Sequence, residues 1–222
     1  MKINQIKFNS LTAISDIKHT FILRSPKLNV ALSSKDEGLK ILRPYHEQGV
    51  KILGSSPEHV TTAEQIHGDT VVVVSESKGM DCPVPGADGL MTCRKEILLG
   101  IYVADCCAVY IVDKYSRAVA LIHSGMKGSQ LGIVKKALSL MRSKGIEPQD
   151  LIVQLSPCIR PPTYEVDFAA FIRKDCLEFG VRADSIYDDR ECTSKNLEAY
   201  YSYRSERGKT GRMLALIGIK GK

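Results

Sequence analysis

The run from Cys107 to Ile122 constrains the fold more than any other part of this 222-residue chain. Cys107 to Asp113 (Cys-Ala-Val-Tyr-Ile-Val-Asp) is apolar and strand-like, Lys114-Tyr-Ser-Arg117 is polar, and Ala118 to Ile122 (Ala-Val-Ala-Leu-Ile) is strand-like again. Two β-rich segments joined by about four polar residues predict a hairpin. Folding it back brings Cys106 and His123 to the same end, within a residue or two of opposite each other. Directly opposite residues have Cβ atoms roughly 4.5–5.5 Å apart and diagonal ones roughly 7–8 Å, and either separation suits two ligands of one ion. Cys107 points to the other face, because side chains alternate along a strand.

His67 ends a further β-like run, Val60 to Ile66, and is followed by Gly68. Two imidazoles and a thiolate are good zinc ligands, and three ligands leave a coordination position open, as in catalytic sites. The spacings are not those of a zinc finger, since no C-x-x-C or H-x-x-x-H occurs. A different chemistry uses the same residues, with Cys106 as nucleophile and His123 as base in a hydrolase or acyltransferase. A thiol dyad does not require His67, so the second imidazole favours metal. Asp105 is a candidate orienter or general base beside the cysteine, or simply a hydrogen-bonded strand-end residue. Gln65, two positions before His67, is a candidate substrate contact.

The segment Ser124-Gly-Met-Lys-Gly128-Ser129 is expected to lead into a helix from about Gln130 to Lys144, capped by Ser129 and ended by Gly145. A helix start and Lys127 together offer an anion pocket; the plainer alternative is a turn with a solvated lysine. Elsewhere β alternates with α. Strands are expected at Thr20 to Arg24, Leu90 to Cys93, Leu151 to Leu155 and Arg212 to Ile219. Helices are expected at Glu37 to Gln48, interrupted by Pro44, at Asp167 to Phe179, stopped by Gly180, and at Lys195 to Arg204. The Pro/Gly-rich stretch Gly79 to Gly89 reads as a loop. Mixed strands with helices outside predict an α+β sandwich, and residues 1–222 read as one domain.

Composition narrows the function classes. Apolar runs such as Ile97 to Val103 are too short to span a bilayer, so no membrane role is expected. The N-terminus lacks a signal-peptide pattern, and the expectation is a cytoplasmic protein with its seven cysteines as thiols. The net charge of +6 is scattered and Trp is absent. No basic stripe or nucleic-acid module is visible, whereas the excess charge fits an anionic small substrate. A monomer is expected.

Several runs together resemble a known family. They are Gln65-Ile-His67-Gly68, Ala87-Asp88-Gly-Leu-Met-Thr92, Ala104-Asp105-Cys106, His123-Ser-Gly125, Pro157, Tyr164-Glu-Val166, Cys192-Thr193, Tyr201-Ser-Tyr-Arg204 and Thr210-Gly-Arg212, with Phe21-Ile-Leu-Arg24 and Asn29 upstream. The chain resembles the laccase-domain, or polyphenol oxidase and peptidoglycan-editing factor, family, whose members act as purine nucleoside phosphorylases. The resemblance implies a single-domain α/β/α-type sandwich with a mixed sheet, and zinc on His67, Cys106 and His123. It implies phosphorolysis of adenosine, inosine, guanosine and methylthioadenosine, with deamination of adenosine. Cys106, Asp105 and His67 then become catalytic candidates, and Arg24, Asn29, Gln65 and Lys127 substrate contacts. Copper is a possible alternative metal, since it exceeds zinc in the usual affinity order. Three departures stand out: Met126 and Lys127 replace a Trp-Arg pair, Ser25-Pro26 replaces a double glycine, and Ser156 replaces a glycine. Lysine lacks the bidentate fork of arginine, so metal binding is the firmer expectation and phosphorolysis is expected to be weakened or lost.

Overall fold

The computed structural model describes residues 2–30 and 34–221. In chain order the elements are β1 (Gln5–Ile6), α1 (Asn9–Thr12), β2 (Ile17–Ile22), α2 (Lys35–Ile52), β3 (Val60–Ala63), β4 (Val71–Val73), β5 (Gly79–Val84), β6 (Gly89–Thr92) and β7 (Leu98–Val103). Then follow β8 (Cys107–Asp113), β9 (Val119–Ser124), α3 (Met126–Gln130), α4 (Ile133–Ser143), β10 (Leu151–Leu155), α5 (Phe168–Phe179), β11 (Ile186–Asp188) and β12 (Met213–Ile219). They form two six-stranded mixed sheets, ordered β1-β2-β12-β7-β3-β5 and β11-β10-β8-β9-β6-β4.

The predicted hairpin is β8 and β9, paired antiparallel with Ala108 opposite His123 and Cys107 opposite Ser124. Its turn is built by Asp113, whose buried carboxylate accepts from the Arg117 backbone N–H at 2.9 Å and from Arg117 Nε at 2.7 Å. Every residue of β8 is buried, because both faces of its sheet are covered. Alternation divides the strand between two cores. Ala108, Tyr110 and Val112 face Leu99, Ile101, Ala215 and Ile217 of the opposite sheet. Cys107, Val109 and Ile111 face Val134, Leu138 and Met141 of α4 and Phe168 and Ile172 of α5. A third cluster joins Tyr45 and Val50 of α2 to Leu98, Leu214 and Leu216 on the outer face of the first sheet. The layers are therefore α2, sheet, sheet, and α4 with α5. The expected sandwich class holds, with its β layer doubled.

Several expected boundaries move for identifiable reasons. Pro44 does not interrupt α2, which runs unbroken through it. The helix is nucleated by a capping box between Ser34 and Glu37 and buries Leu42, Tyr45, His46, Gly49 and Val50, which outweighs one missing hydrogen bond. The helix expected from Gln130 instead begins as α3 at Met126, breaks, and resumes as α4 after Gly132, whose φ of +73° is left-handed. Ser129 lies inside α3, its hydroxyl 2.8 Å from that of Ser124, and does not cap α4. Gly79 to Gly89 is not simply a loop: it contains β5, an edge strand, where Pro83 is tolerated. The expected strand Val60 to Ile66 stops at Ala63, since Gln65 and His67 take positive φ values of 65° and 60°. Lys195 to Arg204 is not an α-helix. Local bonds end at Tyr200 N, which donates to the Asn196 carbonyl; Tyr201 N then donates to Met213 Sδ and Arg204 N to Asp105, both distant partners. The first strand starts at Ile17 and ends at Ile22, earlier than expected, because Arg24 N turns to the carbonyl of Ala199. Among the described residues no helix is long and apolar enough to cross a membrane.

Candidate metal centre

Three separate segments converge at one end of the sandwich. Cys106 stands just before β8, immediately after Asp105, whose φ is +79°. His123 is the penultimate residue of β9, and its partner Ala108 is two residues beyond Cys106, the diagonal relation the hairpin predicts. Gly125 completes the approach: a Cβ there would lie 2.6 Å from Cys106 Sγ, so any larger residue would occupy the thiol's space. His67 arrives on the loop after β3. The potential ligand atoms of His67, Cys106 and His123 all lie within 4.8 Å of one another.

Asp88, fully buried at the start of β6, ties the His67 backbone to the His123 imidazole. One carboxylate oxygen accepts from His67 N at 2.9 Å and faces His123 Nδ1 at 2.8 Å, while the other accepts from Gly68 N at 2.7 Å and Ile66 N at 3.2 Å. Its own carbonyl accepts from His123 N at 2.7 Å. Three successive N–H groups can reach one carboxylate because His67 adopts a left-handed φ. The Asp88 contact fixes His123 as the Nδ1–H tautomer when neutral and leaves Nε2 for an ion, the carboxylate–histidine–metal relay of many zinc sites.

The electrostatics suit a thiolate. Burial pushes the Cys106 thiol up, but the His123 charge and hydrogen bonds from both imidazoles outweigh it and bring the group down to about 6. Burial pushes His123 down, but the Cys106 thiolate and Asp88 outweigh that and raise it to about 9. Burial alone would raise the Asp88 carboxyl, yet its hydrogen bonds to His123 and the His67–Gly68 backbone lower it below its ordinary value of 3.8. A soft thiolate, two imidazoles and a carboxylate orienting one of them match the donor chemistry of zinc.

The triad opens into a cleft of about 700 Å³. Gln65, Asp105 and Met126 line it together with Tyr102, Tyr164, Phe168 and Tyr203, and so do the cations Lys35, Arg204, Arg207 and Arg212. Asp105 is committed: its carboxylate accepts from Thr193 Oγ1 and from Arg204 N, each at 2.7 Å. Gln65 is committed too, since its side-chain amide pairs with both backbone groups of Tyr102. Arg24, Asn29 and Lys127 are not among the residues lining the cleft. Arg24 instead pairs with Glu206 at 2.9 Å and stacks 4.7 Å over the Tyr201 ring; Asn29 and Lys127 are exposed. The role of Asp88 and the four cations escaped the sequence reading. Asp88 and Arg212 both lie in the motif runs, but only the fold shows what they face.

Comparisons with known proteins agree with this geometry. The family model described as multi-copper polyphenol oxidoreductase laccase matches residues 24–171 and 165–220. A purine nucleoside phosphorylase, YlmD, of Geobacillus stearothermophilus is 31% identical over 198 residues, 72% of each chain. A purine nucleoside phosphorylase of Corynebacterium glutamicum is 29% identical over 194 residues, 76% of this chain and 77% of that one. The crystal structure of YlmD superimposes with a TM-score of 0.84 at 26% identity, covering 94% of this chain and 93% of that one. A Neisseria meningitidis structure has the same fold over the full length of both chains, with a TM-score of 0.81 at 21% identity. With the His-Cys-His cluster in place and nearly all of its length matched, this chain belongs to the multi-copper polyphenol oxidoreductase laccase family.

Proposed function

We propose that residues 1–222 form one domain that is a zinc-dependent purine nucleoside phosphorylase, acting on adenosine, inosine, guanosine and methylthioadenosine, with adenosine deaminase activity. The observation that carries this reading is the His67–Cys106–His123 set, oriented by Asp88, at the wall of an aromatic and cationic cleft. The names of the two relatives, both called purine nucleoside phosphorylases, support the substrate class. Zinc held by these three residues supplies Lewis-acid stabilisation of developing negative charge and a water acidified toward neutral pH. The rings of Tyr102, Tyr164, Phe168 and Tyr203 offer flat faces for a purine. Asp105, already bonded to Thr193 and Arg204, acts by positioning the cysteine loop and the arginine loop against each other. The seven unpaired cysteines fit a reducing cytosol.

A second reading rests on one specific observation. Cys106, His123 and Asp88 also form the nucleophile–base–orienter series of a cysteine hydrolase, which would suit an amidase acting on cell-wall precursors. Adenosine turnover by purified, metal-quantified protein, with and without phosphate, separates the readings. Phosphate-dependent release of adenine and ribose 1-phosphate, with some inosine, is the expected result. Absence of any nucleoside turnover at full zinc occupancy would reject the phosphorylase, and full amidase activity without metal would favour the cysteine hydrolase.

A further inference from the structure

Four cations line the cleft against a single carboxylate, Asp105, whose two oxygens already accept hydrogen bonds. Arg212 is anchored by one nitrogen, Nη1, which donates to the carbonyls of Thr210 at 3.1 Å and Gly211 at 2.9 Å. It forms no ion pair with a carboxylate among the described residues, and its guanidinium lies 5.8 Å over the Tyr203 ring at the cleft wall. Arg207 likewise has no ion-pair partner among the described residues. Arg204 pairs with the exposed Glu165 at 3.3 Å and stacks 5.0 Å over the Tyr164 ring, so its charge is met only at the surface.

The loop that carries two of these arginines is organised from within. Glu206 accepts from Ser202 N at 3.1 Å, from the Thr210 hydroxyl, and from Arg24 at 2.9 Å. Gly208 N closes the turn on the Tyr203 carbonyl at 2.8 Å. Arg204 N is tied to Asp105, one residue from Cys106. These contacts hold Tyr203, Arg204 and Arg207 toward the cleft, on the side from which Arg212 enters. Planar guanidinium forks bind the oxygens of a phosphoryl group bidentately, and a dianion suits several uncompensated cations better than a carboxylate does.

We propose that Arg212, with Arg204 and Arg207, forms the phosphoryl-binding subsite of this cleft, in place of the turn that carries Lys127. The proposal rests on the phosphorylase reading for its chemistry, though the subsite exists independently of turnover. The phosphoryl group comes either from free orthophosphate or from the phosphate of a nucleotide. Arg24 is a positioning residue for this subsite, acting through Glu206.

Calorimetric titration of the zinc-loaded full-length protein with orthophosphate, adenosine and adenosine monophosphate tests the assignment. Orthophosphate affinity is expected to fall at least about tenfold in Arg212→Gln and Arg207→Gln, with adenosine affinity unchanged. Binding of the monophosphate but not of orthophosphate, lost in the same variants, would keep the subsite and assign it to a nucleotide. Undiminished phosphoryl binding in both variants would overturn it. Arg207 is exposed on a loop, so its variant remains informative should Arg212→Gln fold poorly. Phosphate binding lost in the variants of an enzyme that never turns over adenosine would reject the phosphorylase and leave the subsite standing.

Discussion

Asp88 receives hydrogen bonds from one loop and one strand, and it touches both histidines of the centre. Asp88→Asn replaces an acceptor oxygen with a donor that faces N–H groups. Zinc affinity is expected to fall 10–100-fold, as for other partners that orient a ligand, measured by competition with a chelator. The wild-type carboxylate also sets an acid limit. Its folded pKa is lowered, so its stabilisation is present above the ordinary value and is lost as pH falls through the lower folded one. Cys106 gives a second prediction at this scale. In metal-free protein its thiolate forms above about pH 6, so alkylation of the Cys106 peptide should be half-maximal near that pH. Added zinc should suppress the Cys106 reaction; alkylation of Cys106 with the pH profile of an ordinary thiol would contradict the paired imidazole. Cys106 and His123 were legible in the sequence because hairpin spacing is local. The approach of His67 was not, since it depends on a positive φ and on a carboxylate 21 residues away.

The hairpin of β8 and β9 brings two of the three candidate ligands together, and its strands are legible in the sequence almost to the residue. Its alternation, polar turn and apolar strands are all short-range signals. The helices were less legible. The continuation through Pro44 is decided by packing of α2 on the first sheet, and the break at Gly132 by a left-handed φ that glycine accommodates. Edge strand β5 was hidden because an edge tolerates Pro83. Leu121, on β9, is fully buried between the two sheets and opposite Tyr110. Leu121→Ala is expected to cost about 2–5 kcal/mol in denaturant unfolding while leaving zinc stoichiometry intact in the folded fraction. A loss near zero would mean that the intersheet core is not packed as described.

At the scale of the molecule, both sheets are closed over by helices on their outer faces, and the cleft sits at one end of the sandwich where the strand-end loops meet. The sequence-based expectation matches the sandwich class but not the doubled sheet, because pairing between β7 and β12, more than a hundred residues apart, leaves no local mark. The place of Arg212 and Arg204 in the cleft wall leaves no local mark either, since they reach it through the C-terminal strand and the loop before it. The central claim is that His67, Cys106 and His123 hold one zinc ion. Zinc K-edge X-ray absorption on protein as purified, with metal content measured in parallel, tests it most directly. The expected result is about one zinc per chain, bound by one sulfur at roughly 2.3 Å and two imidazole nitrogens at roughly 2.0–2.1 Å, with the sulfur shell lost together with the metal in Cys106→Ala. A zinc-replete protein with no sulfur neighbour, or full zinc retained by Cys106→Ala, would contradict it.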